Sequence, residues 1–83
     1  MADVEIPADL LPLHTAALAA ERAMTTARET GGDVEAAREE YLAAAAALER
    51  HPFWEERRQA GNRHGFWQQS LNAAKKALDG GEA

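Results

Sequence analysis

The stretch Arg38-Glu39-Glu40-Tyr41-Leu42-Ala43-Ala44-Ala45-Ala46-Ala47-Leu48-Glu49-Arg50 decides the fold. Five consecutive alanines, bracketed by leucines and charges, contain no β-branched residue, Gly or Pro. Alanine is the best helix former because it loses no side-chain entropy on ordering. The stretch therefore predicts the middle helix of a small bundle, packed by what precedes and follows it.

Working backwards, Gly31-Gly32-Asp33 is the clearest turn. Glycine accepts the left-handed conformation that closes one helix, and Asp33 caps the next, with Glu35 near its positive end. So short a link forces an antiparallel hairpin. Before the turn, Leu10, Leu13, Ala17, Ala20, Met24 and Ala27 alternate steps of three and four, a helical seam. Leu11 and Leu18 widen that stripe enough to face a second neighbour. Asp9 is the expected N-cap, its carboxylate accepting from the backbone N–H of Leu11. Pro12 falls in the first turn, where a missing N–H breaks no intrahelical bond. After the turn, Val34, Ala37, Tyr41, Ala44 and Leu48 repeat the spacing. Two alanine-rich seams let helix axes approach to about 8 Å, and a bulky residue at Ala44 is expected to force them apart.

Forwards, Arg50 and His51 are expected in the last helical turn, where positive charge suits the dipole. Pro52 stops that helix and begins a new one, with Glu55 and Glu56 near its start. Gly61-Asn62 reads as a stop followed by a cap. The last helix presents Phe66, Trp67, Leu71, Ala74, Ala77 and Leu78 on its apolar face. The expected fold is all-α: a helical hairpin over about 9–30 and 33–50, closed by a short helix over 52–60 and a C-terminal helix over 63–78. Residues 1–83 form one domain, with 1–8 and 80–83 as flexible ends; Val4 and Ile6 either fold back on the hairpin or fray.

Twenty of the 83 residues are alanine and few apolar side chains are large, so the core is thin. A chain of this size buries only about 60–65% of its unfolded surface. Stability must come from close helix approach, from the aromatic residues, or from a second subunit. There is no cysteine, which excludes disulfide scaffolds and thiolate metal sites. The N-terminal stretch lacks the basic start of a secretory signal. No apolar run approaches the roughly 20 residues of a membrane span. These features predict a soluble cytoplasmic protein.

The net charge of −5 conceals an asymmetry. Residues 1–49 carry ten acidic and three basic side chains, whereas residues 50–78 carry six basic and two acidic ones. The favoured reading is mutual attraction of the two halves, within the fold or between subunits; the other is an anionic partner.

Four large aromatics form two pairs, Phe53-Trp54 and Phe66-Trp67. The favoured reading is structural: the rings plug the open end of the alanine-rich hairpin. The functional reading leaves Trp54 exposed as a partner anchor, with Arg57 one turn away, because interfaces favour Trp and Arg. On that reading Phe53, Trp54, Arg57, Arg58 and Arg63 bind a protein partner or a second copy. A second functional class is a DNA-binding regulator using residues 52–78 as a helix-turn-helix. Residues 63–78 would then be the recognition helix, with Arg63 and Gln68 or Gln69 at base edges and Arg57 or Arg58 at phosphates. The acidic balance of the domain makes it the lesser reading.

His14, His51 and His64 have no metal-ligand spacing, and no phosphate-binding glycine loop or nucleophile–base motif is present. Glu39-Glu40 is a solvated helix face, since adjacent carboxylates on a helix diverge. The expectation is a non-enzymatic interaction module with no cofactor and no metal.

Ile6-Pro7-Ala8-Asp9-Leu10-Leu11, His51-Pro52-Phe53-Trp54, Gly61-Asn62-Arg63 and Leu71-Asn72-Ala73-Ala74-Lys75-Lys76-Ala77-Leu78 carry a resemblance. The chain resembles a loose group of small alanine-rich, all-helical proteins of actinobacteria and their phages or integrated elements. The resemblance implies an all-helical fold and a phage or mobile-element setting. The group has no assigned activity, so it implies no site residue.

Overall fold

A computed structural model describes residues 5–80. Four helices follow one another: α1 (Leu10–Thr30), α2 (Val34–Glu49), α3 (Pro52–Ala60) and α4 (Arg63–Leu78). This is the all-α hairpin with two closing helices that the spacing predicts.

The boundaries have local causes. Gly31 closes α1 at φ +74°, and the Gly32 N–H reaches back to the Ala27 carbonyl at 2.9 Å. Asp33 accepts from the Ala36 N–H at 3.0 Å, satisfying an N–H that has no partner inside α2. Pro52 opens α3, and Gly61 closes it at φ +78°. At both glycines a side chain would meet left-handed strain.

Several local expectations are corrected. Asp9 precedes α1 but makes no side-chain cap bond. Its carboxylate turns instead to His51 Nε2, at 3.1 and 3.2 Å. Neither Arg50 nor His51 is in the last turn of α2, which ends at Glu49 with Arg50 as the residue that follows it. Because the residue before a proline is driven from the helical region, His51 is extended, and its Nδ1 caps α3 by accepting from the Phe53 N–H at 3.1 Å. Asn62 sits at the start of α4 without capping it; its amide turns back to Arg57. Ala77 and Leu11 lie outside the core, the latter 39% exposed. Of the N-terminal lead, Ile6 packs against the core, while Val4 lies outside the described residues.

The core gathers Leu10, Ala17, Leu48, Phe53 and Trp54, with Leu13, Ala44, Phe66 and Trp67 partly buried against it. The aromatic rings therefore sit where the N-terminal end of α1 meets the C-terminal end of α2. α1 is central: both α2 and α4 pack along it rather than along each other. Two pairings fix the direction of α4. His14 meets Ser70, and Arg22 meets Asp79 at 3.0 Å, so α4 runs parallel to α1 while α2 runs antiparallel. The arrangement is open. Its radius of gyration is 14.3 Å, against about 12 Å for a compact chain of this length.

No described helix is long and apolar enough to cross a membrane.

Candidate functional site: a groove between α2 and α4

Because α2 and α4 are splayed on α1, a groove of about 270 Å³ runs between them. Its floor is the α1 face His14, Ala17, Leu18 and Glu21. Tyr41, Ala45, Leu48 and Glu49 form the α2 wall, and Trp67 and Leu71 the α4 wall. Both walls come from seams that the three–four spacing marks as apolar, but the seams have only one shared partner to bury against. Tyr41, Trp67 and Leu71 consequently stay partly exposed. Leu42 is 49% exposed. It shares a helix face with Ala45 and Glu49 at spacings of three and seven, so it extends the α2 wall outward.

At the floor His14 is 3% exposed, and its hydrogen-bond partner Ser70, outside the groove lining, is 2% exposed. The His14 ring lies 4.7 Å from the Trp67 ring and 6.4 Å, edge-on, from that of Trp54. Burial pushes the His14 pKa below its ordinary value, and the Glu49 carboxylate only partly opposes the shift. His14 is thus a neutral element of the groove.

The residues expected to form a partner surface have a different role. Trp54 is 2% exposed and is no surface anchor; its ring packs at 5.2 Å against Phe53 and 4.8 Å against Trp67. The thin alanine core leaves no other bulk to fill that end, so the rings fill it. Phe53 is buried with Trp54, and Phe66 packs edge-on against it at 5.6 Å. Arg57 lies over Phe53 and Phe66, at 5.5 and 5.4 Å. Arg63 lies over Trp67 and Trp54, at 4.7 and 5.6 Å, and pairs with Glu49 at 2.8 Å. Four of the five, Phe53, Trp54, Arg57 and Arg63, are thus joined with Phe66 and Trp67 in one aromatic–cation cluster. Arg58 stands apart on the exposed face of α3, its Nε donating to Glu55 at 3.1 Å. That bond and a second from Gln59 hold the Glu55 carboxyl below its ordinary range.

Tyr41, Leu71 and Glu21 are groove residues that sequence reasoning did not single out as a site. Periodicity marks Tyr41 and Leu71 as inward-facing, and nothing local shows that no helix covers them.

Among the described residues no group of three or more His, Asp or Glu side chains is placed to hold a metal ion. The arrangement defines a class, an all-helical chain with an open apolar groove, and no activity. No family model matches the chain, and neither a curated protein nor a solved structure matches it.

Proposed function

We propose that this chain is a non-enzymatic interaction module that docks a helical segment of another protein in the groove between α2 and α4. One observation carries the reading: two apolar walls rest on α1 without closing on each other, leaving Tyr41, Trp67 and Leu71 half covered. A helix laid between them completes a four-helix arrangement, the helix-in-groove mode of recognition. The lack of cysteine supports a cytoplasmic setting, and the resemblance supports a phage or mobile-element origin.

Site-specific photo-crosslinking tests the docking. A photoreactive residue at Leu71 should label a second chain, whereas one at Ala73, exposed on the same helix and outside the groove lining, should not. Equal labelling from both positions, or none from Leu71, counts against the groove.

The DNA-binding alternative over 52–78 draws on exposed Gln68, Gln69, Lys75 and Lys76. It has less support, because Arg58 and Arg63 each already face a carboxylate within the fold. It requires affinity for duplex DNA that falls steeply with salt; a low-salt titration without binding removes it.

A further inference from the structure

We propose that the occupant of the groove is a basic amphipathic helix of a different protein, its apolar side chains on α1 and its lysines or arginines against Glu21 and Glu49. This rests on the docking reading above and adds the chemistry of the partner.

The groove combines an apolar floor with a one-sided charge. Its lining holds two carboxylates and no lysine or arginine. Glu49 already shares its charge with Arg63, but Glu21 makes no ion pair among the described residues. His14, kept neutral by burial, supplies no opposing charge. A volume of about 270 Å³ takes one or two large apolar side chains, not a whole domain. A ridge of such side chains flanked by cations is what an amphipathic helix presents at spacings of three and four.

The same charges argue against the other occupants. Two copies meeting groove to groove across a two-fold axis would set the Glu21 and Glu49 carboxylates of one groove against the same acidic lining of the other. Beyond these two carboxylates, α1 and α2 carry four acidic and three basic side chains, so they offer no net cation to relieve the repulsion. Duplex DNA is repelled by the same carboxylates.

The test titrates the full chain, by Trp fluorescence and calorimetry, with synthetic helices of about 16 residues, or ~24 Å. One carries a leucine ridge flanked by lysines. A second keeps the leucines and replaces lysine by glutamate. A third keeps the lysines and replaces leucine by glutamine. Saturable binding of the first alone is expected. Glu21→Gln, at an exposed position, should weaken it by about two- to fivefold at low salt. Ala45→Trp, which fills the groove, should abolish it with the circular dichroism unchanged. Equal binding of the glutamate helix overturns the charge inference and leaves the groove standing. Equal binding of the glutamine helix shows attraction without a groove and overturns it as well. Labelling from Leu71 that joins two copies of this chain overturns the choice of partner. No peptide binding together with no labelling from Leu71 removes the docking reading itself.

Discussion

His14 Nδ1 and Ser70 Oγ lie 2.6 Å apart, fifty-six residues distant in sequence, and share the hydrogen bond that clips α4 to α1. Both groups are almost wholly buried, so neither has water as an alternative partner. Ser70→Ala leaves the imidazole nitrogen unsatisfied and should cost about 1–3 kcal/mol in urea unfolding. Unchanged stability would mean that the bond contributes nothing net.

The same imidazole makes stability depend on pH. Its folded-state pKa lies below the ordinary value of 6.5 because burial disfavours the cation. The unfolded chain therefore binds the proton first as pH falls, and acid favours unfolding. The stabilisation is fully present above about pH 6.5. It declines as pH drops from there through the depressed folded pKa, below which the dependence levels off. A urea midpoint measured between pH 7.5 and 5.5 should fall in the native chain and fall less in His14→Gln. Parallel slopes for the two chains would assign the effect to other groups.

The alanine seams make a volume prediction. Ala74 of α4, which packs on α1, is fully buried and lies outside the groove lining, and Ala73 beside it is exposed. Ala74→Leu should cost about 1–3 kcal/mol through overpacking. Ala73→Leu should stay within about 0.5 kcal/mol. Similar costs at the two positions would show that close approach of α4 to α1 does not support the fold.

How far the chain could be read in advance follows from which interactions are local. The four helices are encoded by periodicity and by residues that act on their immediate neighbours: Gly31, Asp33, Pro52 and Gly61. The direction of α4 is not local. It depends on His14 finding Ser70, and although Ser70 stands at helical spacing from Phe66, Trp67 and Ala74, nothing local names its partner. Composition showed that the Phe and Trp residues were needed as bulk, and they are used so. It did not show that Trp54 would be the most deeply placed of the two indoles. The groove was illegible for a related reason. The spacing states that Tyr41 and Leu71 face inward, but whether a neighbour covers them depends on the angle at which two helices leave α1.

The two tryptophans should be distinguishable in solution. Trp54 is buried, whereas Trp67 is partly open along the groove wall and has the Arg63 guanidinium over its face at 4.7 Å. Trp67→Phe should leave a blue-shifted emission that acrylamide hardly quenches. Trp54→Phe should leave a quenchable one. Arg63→Met should increase quenching in the latter chain and cost about 1 kcal/mol of stability, the order of a cation–π contact at a partly exposed ring. Equal quenching of the two single-Trp chains would be incompatible with this placement.

His51 joins three segments through one ring, and its two nitrogens can be tested separately. Nδ1 accepts from the Phe53 N–H, so the proton of the neutral imidazole sits on Nε2, which faces both oxygens of Asp9. His51→Ala removes the α3 cap and the link to the start of α1, and should cost about 1 kcal/mol or somewhat more. His51→Asn restores a capping oxygen but is too short to span to Asp9, so it should recover most of that loss. Asp9→Asn leaves the cap intact and alters only an exposed pair, so its effect should be below about 1 kcal/mol. If urea unfolding shows His51→Asn to be as unstable as His51→Ala, the capping bond is not what holds the α2–α3 corner. The contact with Asp9 would then have to carry it, and Asp9→Asn should show a matching loss.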